Sequence, residues 1–184
     1  KNIIKYKEVF LVMIKYEELN QMLVRNKKVP YPPVPNLYPN KKYANLIYDS
    51  FAGEEGELTA ITQYIYEHID LKDKEDVSKI LLSIAIEEMR HIDILGEILI
   101  NLGEKPIFRN SNQNQWTAKN VKYKIRDLKD AMKINIASEE AAIRGYRQLM
   151  RYTNNMYLRR IYERIILDEM THLEIFKMIL EKCD

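Results

Sequence analysis

Cysteine is nearly absent from this 184-residue chain; Cys183, one residue from the end, is the only one. That excludes an internal disulfide framework and a four-cysteine metal knuckle, and it suits a reducing compartment. Glycine is scarce, and five of the six prolines are crowded between Pro30 and Pro39, so most of the chain carries few breakers of regular structure. Neither sign of charge predominates: 29 basic and 27 acidic side chains leave +2. With no basic run, nothing points to nucleic acid or a charged membrane surface. No apolar run approaches about 18 residues, so no membrane-spanning helix is expected. Val9 to Ile14 is too short an apolar run for a signal peptide and lacks a small-residue cleavage site. The chain opens on Lys1 rather than Met, which leaves room for residues upstream. The expected location is cytoplasmic. A hydrophobic content of 46% with 30% charged residues suits a single globular domain with a sizeable core.

The informative stretch runs from Ile84 to Leu102. A 4-3-4-3-4 spacing puts Ile84, Glu88, His91, Leu95, Ile98 and Leu102 on one helical stripe. Four are aliphatic, as a core stripe should be, but a carboxylate and an imidazole interrupt it. A second stripe, Leu158, Tyr162, Ile165, Glu169, His172, Phe176 and Ile179, carries the same interruption. A buried ionised Glu is costly unless paired, and a metal ion is one such partner. The alternative is a bundle whose carboxylates are protonated or paired with Arg90, Arg144 or Lys133. Of the three histidines, only His68 lacks a Glu three residues upstream. It ends its own stripe about 16 Å along the helix from Glu57, which makes it a bundle-end residue.

Residues 1 to about 26 read as a helix, with Ile4, Phe10 or Leu11, Ile14, Leu19 and Met22 in rough helical step. Val29 to Pro39 must run extended, as a strap anchored by Tyr31, Leu37 and Tyr38 or as a PxxP-type ligand; the aromatics favour the strap. These residues form an extension over 1–43, ahead of a bundle over 44–184. The first core helix is expected to begin between Tyr43 and Glu54 and to end near His68, with Gly53 and Gly56 weakening its start. Asp73 is the expected N-cap of the second, which stops at Asn101-Leu102-Gly103. Residues 103 to about 124 form a long irregular link anchored by Trp116, the length a crossover between helices two and three requires. The third and fourth helices are expected over Arg126–Tyr152 and Asn155–Lys182, with Asn154 and Asn155 at the turn.

Helices one and three share Glu-x-x-Ala-Ile-x-x-Tyr, at Glu57–Tyr64 and Glu139–Tyr146. Glu57 precedes Glu88 by 31 residues (88 − 57), and Glu139 precedes Glu169 by 30 (169 − 139). The chain is thus two copies of one helical hairpin, each supplying Glu and then Glu-x-x-His. Glu139 lies on the stripe with Met132, Ile136, Ile143, Tyr146 and Met150; Glu140 lies about 100° round the helix. Four Glu and two His make an oxygen-rich site with one imidazole per cation, suited to iron or manganese rather than structural zinc. Tyr64 and Tyr146 either hydrogen-bond that site or serve as core aromatics.

The segments AGEEGELTAITQY, AIEEMRHIDILGEIL and DEMTHLEIF resemble the first-, second- and fourth-helix motifs of the ferritin-like superfamily, among bacterioferritin and rubrerythrin relatives. The resemblance covers residues 44 to 182 and implies an all-α, four-helix bundle with a long crossover between helices two and three. It implies Glu57, Glu88, His91, Glu139, Glu169 and His172 as metal ligands, with Glu88 and Glu169 bridging two Fe or, alternatively, two Mn. It also implies an oxidoreductase of hydrogen peroxide or dioxygen (peroxidase or ferroxidase), or a manganese-catalase type. A non-catalytic metal-binding scaffold is the reading of another class. Departures are informative. No paired Cys-x-x-Cys is present, so the electron donor is unidentified; Ala142 stands where many rubrerythrins carry a further Glu. Met89 follows Glu88 as the haem-ligating Met does in bacterioferritin, but Met170 follows Glu169 alike, so the repeat accounts for both. The strap and first helix do not belong to the bacterioferritin pattern, which favours a homodimer or small homo-oligomer over a 24-subunit cage.

Overall fold

The computed structural model describes residues 15–183, in six α-helices: α1 (Tyr16–Asn26), α2 (Lys41–Ala52), α3 (Glu57–Asp70), α4 (Glu75–Asn101), α5 (Leu128–Arg151) and α6 (Met156–Glu181). The expected stripe positions Ile4, Phe10, Leu11 and Ile14 lie outside the described residues. α3 packs along α4 and α5 along α6, so the two sequence repeats are two helical hairpins, and α1 lies against both α4 and α6. The apolar stripes build two clusters. One holds Tyr43, Ile47, Phe51, Leu95, Ile98, Tyr162 and Ile165; the other holds Leu19, Leu23, Ile80, Ile84, Met132, Phe176 and Ile179. Residues 88–91 of α4 and 169–172 of α6 fall between them along both helices, and the polar layer sits there.

Short polar side chains start three of the helices by satisfying free backbone N–H groups. Asn40 caps α2 at Tyr43 N (3.0 Å), Asp127 caps α5 at Asp130 N (2.8 Å), and Asn155 caps α6 at Tyr157 N (2.9 Å). Asp73 does not cap α4. Lys74 occupies the N-cap position with no side-chain cap, and the Asp73 carboxylate is drawn instead to Lys74 Nζ at 2.7 Å.

The expected first core helix is two helices. The chain breaks over Gly53–Gly56 because it crosses too close to the end of α2 for side chains. A Cβ on Gly53 would stand 2.4 Å from Asp49 O, and one on Gly56 2.6 Å from the same oxygen. The Thr59 hydroxyl closes the break by donating to Gly53 O at 2.8 Å. The crossover is pinned as expected, with Trp116 Nε1 donating to Thr59 Oγ1 at 2.9 Å. It holds one isolated antiparallel bridge, Arg109 to Gln115. In the strap, Tyr31, Val34 and Leu37 pack on the core. Tyr38 is not an anchor: it is 93% exposed, because the packed residues recur every third position, the polyproline II period, and Tyr38 lies one step off that row. Among the described residues no helix is long and apolar enough to cross a membrane.

Candidate metal centre

The residues singled out by spacing meet in one buried place. Glu88 and His91 come from α4, Glu169 and His172 from α6, Glu57 from the first turn of α3 and Glu139 from mid-α5; none exceeds 3% exposure. His91 Nδ1 lies 2.7 Å from Glu88 Oε2, 3.2 Å from Glu169 Oε1 and 3.6 Å from Glu57 Oε2. His172 Nδ1 lies 2.9 Å from Glu88 Oε1, 3.2 Å from Glu169 Oε2 and 3.9 Å from Glu139 Oε1. Two groups follow, each with donor atoms within 4.8 Å of one another: Glu57, Glu88, His91 and Glu169, and Glu88, Glu139, Glu169 and His172. Glu88 and Glu169 belong to both.

None of the three cations weighed from the sequence neutralises these carboxylates. Arg90, Arg144 and Lys133 are exposed, and Arg90 turns to Asp93 at 2.6 Å. Glu140 likewise faces outward, 3.7 Å from Lys177, which leaves Glu139 as the inward carboxylate of α5. His68 contacts Ser78 and Lys72 at the bundle end.

The electrostatics are those of an anion-rich pocket short of positive charge. Burial pushes the Glu57 and Glu139 carboxyls well above the usual range, and the charges of Glu169 and Glu88 push them further. For His91, burial opposes the charged form but is outweighed by Glu169 and Glu88; for His172 it is outweighed chiefly by Glu88. Both imidazoles are therefore raised well above their ordinary value. Glu88 is held low, burial being outweighed by His172 and His91. Glu88 Oε1 and Glu169 Oε1 are buried, and the imidazole Nδ1 atoms near them, at 2.9 and 3.2 Å, are not aligned to donate to them. Unfilled lone pairs on the two shared carboxylates are what a bound cation would satisfy.

Both roles weighed for Tyr64 and Tyr146 apply together. Each is at most 1% exposed, and each hydroxyl crosses to the other hairpin. Tyr64 donates to Glu139 Oε1 at 2.5 Å, and Tyr146 donates to Glu57 Oε1.

Spacing arguments missed an outer layer. Glu87 Oε2 lies 3.1 Å from His172 Nε2, and Asp168 Oδ2 lies 3.3 Å from His91 Nε2. The signal was in the sequence: each Glu-x-x-His is preceded directly by an acid, in EEMRH and DEMTH. Each acid serves the histidine of the opposite hairpin, a pairing that orients imidazole ligands in metal sites. A cavity of about 300 Å³ opens beside the α2–α3 break and reaches Glu57 and Tyr146, with Asp49, Glu54, Ala142 and Gly145 among its lining. Ala142 leaves space where a longer acid would fill it.

The chain resembles proteins with such centres. It is 29% identical to a probable manganese catalase of Clostridium acetobutylicum over 164 residues, covering 78% of this chain and 72% of the relative. The manganese catalase of Anabaena superposes with a TM-score of 0.75 at 22% identity, over 84% of this chain and 77% of that one. The bacterioferritin of Desulfovibrio desulfuricans, described with a diiron site, superposes at 0.64 with 26% identity, over 76% and 78%. These likenesses establish the all-α, ferritin-like bundle. The rubrerythrin family model matches residues 45–180, so the chain belongs to the rubrerythrin family within the ferritin-like di-metal oxidoreductases.

Proposed function

We propose that this protein is a di-iron oxidoreductase acting on hydrogen peroxide or dioxygen, as a peroxidase or ferroxidase. The observation that carries it is the pair of overlapping donor sets sharing Glu88 and Glu169. In this reading Glu57 and His91 would hold one cation, Glu139 and His172 the other, and Glu88 and Glu169 would serve both. Four carboxylates balance two divalent cations, and carboxylate–imidazole ligation without thiolate suits iron or manganese. Two ferrous ions held there would supply the two electrons that reduce hydrogen peroxide, with two protons, to two waters.

The chain's own side chains then have defined work. Tyr64 and Tyr146 hold the terminal carboxylates Glu139 and Glu57 by their hydroxyls, and in doing so place a proton donor at the edge of each donor set. Asp168 and Glu87 hold the outer nitrogens of the histidines, so that Nδ1 would be the atom available to a cation. The apolar clusters on either side exclude bulk water from the polar layer. The electron donor is a separate, unidentified molecule, the setting is reducing and cytoplasmic, and the assembly is a homodimer or small homo-oligomer.

Manganese-catalase-type peroxide dismutation is the second reading. It is favoured by the likeness to the Clostridium and Anabaena proteins and requires no electron donor. Metal analysis after growth with iron and manganese separates the two. Two iron per chain with reductant-dependent peroxide consumption supports the first, and two manganese with reductant-free oxygen release supports the second. Binding without turnover would leave a metal-binding scaffold. Glu88→Ala and Glu169→Ala are each expected to abolish loading of two ions; full occupancy in both variants would falsify the bridging assignment.

A further inference from the structure

The two hairpins are repeats, yet the surroundings of their histidines differ, and the difference comes from the proline-rich strap. Tyr31 follows Pro30 and precedes Pro32 and Pro33, so its neighbours have little backbone freedom to lose when the ring is placed. Its ring lies under the Arg164 guanidinium at 4.3 Å and meets the His91 imidazole edge-on, with centroids 6.1 Å apart. Its hydroxyl donates to Asp168 and lies 3.1 Å from His91 Nε2. Arg164 Nη1 stands 2.5 Å from Asp168 Oδ2. The remaining Arg164 donors reach the start of the strap and the end of α1, Nε to Val29 O at 2.6 Å and Nη2 to Asn26 O at 2.9 Å. Asn26 Nδ2 in turn donates to Leu167 O and Thr171 Oγ1, at 3.1 and 2.8 Å, on either side of Asp168–Glu169. The strap, Arg164, Asp168 and Tyr31 thus form a closed ring behind His91.

Behind His172 the arrangement is sparser. Glu87 meets Nε2, and its other oxygen is 3.5 Å from Lys27 Nζ, on a side chain that is 58% exposed.

We propose that Tyr31 is a positioning residue of the metal centre: from the strap it fixes the His91 imidazole and so makes the two cation positions unequal, the His91 half being the tighter. This rests on the reading that the site takes two cations. A hydrogen-bond partner behind a histidine ligand fixes its tautomer and ring orientation, and losing one typically costs roughly ten- to a hundredfold in metal affinity. His91 has two such partners, one of them held by a buried arginine. His172 has one, held by a loosely tethered lysine. The strap is therefore part of the site as well as a cover for the bundle.

The test is cobalt(II) titration of the metal-free full chain, followed by visible absorption, with thermal unfolding of the metal-free protein measured in parallel. The wild type is expected to bind two cobalt ions in two resolvable steps. Tyr31→Phe keeps the ring under Arg164 and removes only the hydroxyl. It should weaken the first step roughly tenfold, change the absorption bands of the first-bound ion, and leave the second step within about twofold. Glu87→Gln should do the converse, weakening the second step alone. Unchanged steps and spectra in Tyr31→Phe would overturn the proposal, as would equal weakening of both steps with a lowered melting temperature, the signature of a merely structural tyrosine. A wild type that binds no cobalt would overturn the two-cation reading itself; two ions bound, with Tyr31→Phe inert, would overturn the positioning role alone.

Discussion

Glu67 shows what a single carboxyl costs inside this bundle when no metal explains it. It is fully buried, accepting from Gln63 Nε2 at 2.8 Å and Asn135 Nδ2 at 2.6 Å. Burial pushes its carboxyl up to about 7, against the downward pull of the Asn135 and Gln63 amides. In the unfolded chain an ordinary Glu ionises near 4.3. As pH rises between those values the unfolded state loses this proton first, so the folded state binds more protons and stability falls with pH. The contribution is greatest below the unfolded value and is lost by about pH 7, a span worth roughly 3 kcal/mol. Glu67→Gln removes this titration. Chemical unfolding of the metal-free protein at pH 4.5 and 7.5 should show the variant's stability rising relative to wild type by about 2–3 kcal/mol over that span. A difference independent of pH would refute the assignment.

Among the elements, the α2–α3 break is where sequence reading and structure part most clearly. Hydrophobic step runs through Tyr43–His68 without announcing an interruption, and glycine alone does not say whether a helix is weakened or broken. The break is decided by the backbone of Asp49, which stands where two Cβ atoms would have to be. It matters to the site because it begins α3 at Glu57 and opens the cavity beside it. Gly53→Ala should therefore destabilise the protein by about 2 kcal/mol or more, since backbone rather than a flexible side chain must move. Denaturant unfolding within about 0.5 kcal/mol of wild type would show that the crossing relaxes freely. Asn155 was legible as the start of the last helix because a short polar residue acts within its own turn, whereas α5 starts at Leu128 behind its cap Asp127, two residues past the expected Arg126. Asp73 failed as a cap because α4 starts one residue later than expected, which puts Lys74 at the N-cap position, and residue preference does not fix a start to the residue.

For the molecule as a whole, the bundle leaves apolar surface outside its two cores. Leu82, Ile86 and Met89 follow helical spacing on the outward side of α4, at 36, 55 and 42% exposure, and Met170 of α6 is 52% exposed. Exposed apolar residues at regular spacing suit burial between copies of the chain. Light scattering should give the mass of a homodimer or small oligomer; a mass near 24 chains would reinstate a storage cage, and a monomer would remove the interface.

The bundle and its six inward ligand candidates follow from local patterning along the chain. Helical period is a local property, and an acid or imidazole within an apolar stripe is aimed at the core wherever that core lies. Glu57, Glu88, His91, Glu139, Glu169 and His172 were legible for that reason, and the internal repeat supplied the count of two. Which side chain serves which depends on packing between the hairpins. Asp168 faces His91 rather than His172, Tyr64 holds Glu139 rather than Glu57, and Tyr31 reaches the site from an extended strap. Pairings between hairpins depend on how helices sit against one another, and a segment without periodicity shows no facing until a core receives it.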